Sequence, residues 1–158
     1  MQCIAYVNYL QDVSQLSGVM HVLENKCQAI QSEGLPMRVF LFTCSKISHP
    51  GITVISIPKH LGGWGRYRWM AREISFKCKD FDVVILRKMT YSPVLDWHLR
   101  KKSFKLIVEY HTLHLRLNQL SGRLFTYLLE RFSGHLMMSL IAGKIVMTQE
   151  IGENERNT

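Results

Sequence analysis

Short apolar runs alternate along this chain with longer stretches in which apolar positions recur every three or four residues. The runs at 3–9, 37–44, 52–57, 81–86, 105–109 and 144–147 predict six strands. The run at 37–44 is almost continuously apolar, which suits a strand covered on both faces. Between the first two runs, Val19, Leu23, Cys27 and Ile30 form one stripe and predict a helix over 17–33, stopped by Gly34 and Pro36. Gly62, Gly63 and Gly65 give a flexible entry to a second helix over 66–79. Ser92 and Pro93 mark the start of a third over 93–101. A loop or short helix runs to 119. The stretch 120–141 predicts a long helix, with Gly134 placed to bend it.

Strands that alternate with helices indicate a parallel sheet. The pattern therefore predicts an α/β fold, a Rossmann-like three-layer α/β/α sandwich around a mainly parallel sheet of about six strands. Residues 1–151 form the expected domain and 152–158 a polar tail. The first run carries no basic leader and reads as a strand rather than a signal peptide.

In such sheets ligands bind beyond the carboxyl ends of the strands. That edge singles out a few polar residues. Glu109 and His111 end the fifth strand, where Phe104, Lys105, Leu106, Ile107 and Val108 give way to titratable groups. A carboxylate there bonds a ligand hydroxyl or fixes a neighbouring helix; a histidine there acts on a sugar or phosphate or sits on a surface loop. His114 is an ordinary loop residue. Arg87 and Lys88 close the fourth strand and suit an anionic substrate, or a solvated strand end. Ser17 and Gly18 open the first helix, where unpaired N–H groups favour phosphate, or where Ser17 simply caps the helix.

The helix over 66–79 has two faces. Tyr67, Met70, Ala71, Ile74 and Cys78 fall on the side expected to meet the sheet. Trp69, Arg72, Phe76 and Lys79 fall opposite. Exposed rings among cations suit a membrane interface; the alternative is burial of Trp69 and Phe76 under a loop. Arg100, Lys101, Lys102 and Lys105 make a second basic cluster, read as a solvated turn.

Composition narrows the field. The chain has 158 residues, 47% of them hydrophobic, enough for one domain with a sizeable core. No stretch approaches the roughly 20 apolar residues of a membrane span. The formal charge of +8 points to an anionic partner: nucleic acid, anionic lipid or a phosphorylated substrate. The cations are dispersed and no nucleic-acid motif is visible, which argues against nucleic acid. Cys3 and Cys44 fall in predicted strands, and Cys27 and Cys78 in predicted helices. Their wide spacing excludes finger-type metal binding and predicts free thiols of a cytoplasmic protein. There is no G-x-G-x-x-G, no P-loop and no G-x-S-x-G elbow.

Several segments in order resemble the N-terminal, acceptor-side domain of glycosyltransferase family 4-like, GT-B enzymes. Ser17-Gly18-Val19 heads a helix ending at Glu33-Gly34. Asp82-Val83-Val84-Ile85-Leu86-Arg87 precedes Leu106-Ile107-Val108-Glu109-Tyr110-His111-Thr112. Gly143-Lys144-Ile145-Val146-Met147-Thr148-Gln149-Glu150-Ile151 is similar to the last strand before that family's interdomain crossing. The resemblance implies a transferase that moves a sugar from a nucleotide-sugar to a glycan or lipid-linked acceptor, as in cell-envelope polysaccharide biosynthesis. It implies a cleft between this domain and a donor-binding domain or partner chain that these residues do not include, and no cofactor or metal of its own. By position, Ser17 and Gly18 would lie near the donor diphosphate and His111 near the transferred sugar. Arg87 and Glu109 would line the acceptor side. Many relatives have Gly-Gly where this chain has Ser17-Gly18.

The expectation is thus one half of a sugar transferase, inactive alone and cytoplasmic, with the membrane's inner face within reach. The alternatives are one subunit of a split glycosyltransferase, or a non-catalytic basic module peripheral to an anionic membrane.

Overall fold

The computed structural model describes residues 3–10, 16–87, 95, 98–99, 102–110, 122, 124–125, 128 and 141–146. The element order is β1 (Ile4–Leu10), α1 (Leu16–Ser32), β2 (Met37–Thr43), β3 (Ile52–Ser56), α2 (Gly63–Lys77), β4 (Val83–Arg87), β5 (Lys105–Tyr110) and β6 (Gly143–Val146). Six strands form one sheet in the order β3-β2-β1-β4-β5-β6, and every pairing is parallel. The fold is α/β and Rossmann-like, as the alternation of patterns predicts. Strand order runs outward from β1 in both directions, so β1 and β4 flank the place where the chain changes sides.

Residue alternation assigns each strand side chain to one of two cores. Tyr6, Leu10, Leu23, Val39, Leu41 and Ile85 build the core on the α1 side. Val7, Phe42, Met70, Ile74, Leu86 and Val108 belong to the core on the α2 side. Leu95 and Leu99, both helical, join the α2-side core. Each such fully buried side chain contributes about 1.5–3 kcal/mol. Burial on both faces explains why β2 reads as an unbroken apolar run.

The helix ends have local causes. Gly34 takes φ +74°. Its N–H donates to the Gln31 carbonyl at 2.9 Å, and the Leu35 N–H donates to the Ile30 carbonyl at 3.4 Å. This pair of bonds is a Schellman closure of α1, and it needs a residue at ease in the left-handed region. At the start of α2, Gly62 is extended and supplies no side-chain cap, while Gly63 takes φ +44°. The helix therefore begins at Gly63, three residues before the position its glycines suggest, because first-turn N–H groups lack intrahelical partners whatever the residue.

Cysteine placement differs slightly from expectation. Cys3 precedes β1, Cys44 follows β2 and Cys78 is the residue after α2. All four cysteines are free. Cys78 is buried, and burial pushes its thiol up to about 12.

Candidate functional site

The carboxyl ends of β1 and β4 lie side by side. The last residues paired across them are Val7 and Leu86, so Asn8 and Arg87 come one residue further on, at the same level. Arg87 is in turn paired with Glu109 on β5. By alternation Asn8, Arg87 and Glu109 all face α1, in line with Tyr6, Ile85 and Ile107. In an open α/β sheet, the gap at this reversal of strand order is where a ligand enters.

Asn8 is only 1% exposed. Its Oδ1 accepts the Tyr9 N–H at 2.8 Å, and among the described residues its Nδ2 has no hydrogen-bond partner. A buried, unused amide donor costs about 1–3 kcal/mol and needs a reason. Arg87 is half-buried, and among the described residues no hydrogen bond or ion pair engages its guanidinium. Ser17 and Gly18 are exposed in the first turn of α1, and a Cβ on Gly18 would meet nothing within 4 Å. Ser17 is a helical residue here, inside the turn rather than ahead of it.

Glu109 is engaged by Tyr6 and Lys26. The Tyr6 hydroxyl donates to its Oε2 at 2.6 Å, and Lys26 Nζ pairs with its Oε1. Lys26 also donates to the Tyr6 oxygen at 3.3 Å and lies 5.0 Å from the Tyr6 ring centroid. The Glu109 side chain is 3% exposed and that of Lys26 25%. The triad ties β5, β1 and α1 together near the carboxyl ends of the strands, so Glu109 is a structural anchor. Burial foremost, then the hydrogen bond and repulsion from Glu109, push the Tyr6 phenol far above its ordinary range, while the Arg87 charge opposes this.

On the other side of β1, Arg66 donates to the Tyr9 hydroxyl at 2.9 Å and to the Leu61 carbonyl. The bond to Tyr9 raises the Arg66 pKa further, against a smaller opposing effect of burial. These contacts fasten the start of α2 to the end of β1.

The expected membrane set divides. Trp69 is half-buried and meets Phe42 edge-on, with ring centroids 6.2 Å apart, so it belongs to the core rather than the outer face. Helical spacing puts it at the boundary, and its long ring reaches inward. Arg72 is exposed, Phe76 is 66% exposed, and Lys79 lies over the Phe76 ring at 5.7 Å, just beyond the helix end. His111, Lys88 and His114 lie outside the described residues. Asn8, Tyr6 and Lys26 escape sequence reasoning. The usable signal is that Tyr6 and Asn8 occupy the same alternate face of an otherwise apolar strand.

An open depression of about 470 Å³ lies at the opposite, amino edge of β4 and β5, lined by Lys79–Asp82 and 103–105. Its polar groups serve the fold: Asp82 accepts the Cys3 N–H, and Ser103 donates to the Lys79 carbonyl. Among the described residues no cluster of three His, Cys, Asp or Glu could hold a metal ion, and no helix is long and apolar enough to cross a membrane. Neither a protein-family model nor a curated protein matches the chain.

Proposed function

We propose that this chain is the acceptor-side half of a glycosyltransferase that uses a nucleotide-activated sugar. The observation that carries the reading is a pair of donors without a hydrogen-bond partner among the described residues, the Asn8 amide and the Arg87 guanidinium, at the reversal point of the sheet. They suit a diphosphate held against the first turn of α1, where the N–H groups of the helix add a partial positive charge. An acceptor hydroxyl attacks the anomeric carbon as the bond from that carbon to the diphosphate oxygen breaks. The departing negative charge is met by Arg87, Asn8 and the helix N-terminus. His111, next beyond β5, is the candidate to stand by the transferred sugar. A donor-binding domain or partner chain completes the cleft, and the acceptor is a glycan or lipid-linked sugar.

The reading is tested by thermal unfolding with pyrophosphate, UDP and GDP, and by a transfer assay on the chain alone. A ligand at a hundred times its Kd adds about 2.7 kcal/mol, which raises Tm by roughly 5–10 °C. The shift is expected to shrink in Asn8→Ala and Arg87→Gln, and the chain alone is expected to transfer no sugar. Unchanged Tm with all three ligands, or robust transfer by the chain alone, would overturn the proposal.

A further inference from the structure

The outward face of α2 is built in a way that neither the crevice nor the core explains. Trp64, Arg68, Arg72 and Phe76 recur every four residues, and all four are exposed. At about 100° per residue they span roughly a third of the helix surface. Trp64 is 64% exposed and Phe76 66%. Lys79, just past the helix, lies over the outer ring. The stripe contains no acidic residue: the helix's single carboxylate, Glu73, falls about 60° beyond its edge, half-buried. Among the described residues no ion pair or hydrogen bond engages Arg68 or Arg72. Arg66 differs, being tied to Tyr9 and Leu61. Trp64 also stands between Gly63 and Gly65, so no neighbouring side chain on either flank covers its ring.

We propose that this face of α2 docks on an anionic lipid bilayer, with Trp64 and Phe76 entering the headgroup layer and Arg68, Arg72 and Lys79 meeting lipid phosphates. The argument is complementarity of two kinds. Large amphipathic rings partition to the membrane–water interface, and unpaired cations between them favour anionic headgroups. A nucleic-acid surface would use the cations but leaves two outward rings at opposite ends of the stripe without a purpose. Helix α2 begins at the carboxyl edge of the sheet and is fastened to β1 by Arg66. It runs from there to the amino edge, where Lys79 lies, so docking lays the helix along the bilayer surface. The inference does not depend on sugar transfer, and its test involves none.

The test is sedimentation with vesicles of phosphatidylcholine, with and without roughly 30 mol % phosphatidylglycerol. The protein is expected to sediment with the anionic vesicles only. Each unit of positive charge lost from the stripe should weaken partitioning about fivefold, so Arg68→Glu/Arg72→Glu should abolish it. Lys46→Glu, at an exposed site outside the stripe, should weaken it far less than Arg72→Glu, which changes net charge equally. Brominated lipid should quench wild-type tryptophan fluorescence but not the fluorescence left in Trp64→Phe, which reads ring insertion without relying on a destabilising change. Equal losses in Lys46→Glu and Arg72→Glu would overturn the proposal in favour of net charge alone. So would absence of quenching, or binding to a homopolymer RNA that requires the stripe while vesicles do not bind.

Discussion

Lys26→Met should be among the most damaging single changes on the α1 side of the sheet, and Glu109→Leu should largely repair it. Lys26 is the cation paired with a carboxylate whose side chain is 3% exposed. Removing it takes the cation from Oε1 while the Tyr6 hydroxyl stays at Oε2. Breaking a buried pair from one side costs about 3–5 kcal/mol, and the surviving Tyr6 bond favours the lower end. Glu109→Leu alone is milder. Lys26, a quarter exposed, swings its ammonium into water on a flexible stem, and the main loss is the acceptor of the Tyr6 hydroxyl, about 1–3 kcal/mol. The double variant retains only that second penalty. The two losses therefore fall short of additivity by at least about 2 kcal/mol. Urea unfolding at neutral pH of wild type, both single variants and the double variant measures this directly. Additivity within about 0.5 kcal/mol would show that the three groups do not act as a unit, and the anchor role of Glu109 would fall.

Raised folded-state pKa values stabilise below the unfolded pKa and lose that contribution as pH climbs. Stability should therefore decline above pH 9 as unfolded Cys78 ionises, and further above pH 10 as unfolded Tyr6 does, by at most about 1.4 kcal/mol per pH unit for each group. Cys78→Ala should flatten the limb between pH 9 and about 12 in denaturation curves. Trp69→Ala should cost about 2–3 kcal/mol, below the 3–5 of a fully buried ring, while Trp64→Ala changes stability by less than about 0.5, as chemical unfolding would report. Gly34→Ala forces a Cβ into the left-handed region at the close of α1 and should cost about 1–2 kcal/mol, read as a lowered Tm.

The sheet is readable because its central strands are buried enough to write their burial into the sequence. The Met37–Thr43 strand declares itself by apolar residues on both faces, and the Schellman closure at Gly34 follows from the glycine alone. Trp69 and Trp64 were not readable by the same means. A helical wheel ranks directions but not reach, and Trp69 stands at a boundary where a long ring turns inward to Phe42. The glycines before Arg66 look like a loop by propensity, which hides the first turn of α2 and with it Trp64 as the start of the stripe that continues through Arg68. At the crevice, Arg87 and Glu109 are legible as polar ends of apolar strands, and register pairs them. The partners of Glu109 are not, since Lys26 and Tyr6 lie 83 and 103 residues away. Asn8 is a single polar letter in a strand, and only burial without a partner gives it meaning.

Titration of the ¹⁵N-labelled protein with UDP or pyrophosphate, followed by NMR, tests the central claim most directly. The account predicts saturable shifts of the Asn8 side-chain amide, the Gly18 backbone amide and the Arg87 guanidinium. Shifts confined to Lys79–Asp82 and 103–105, at the opposite edge of the sheet, would contradict it.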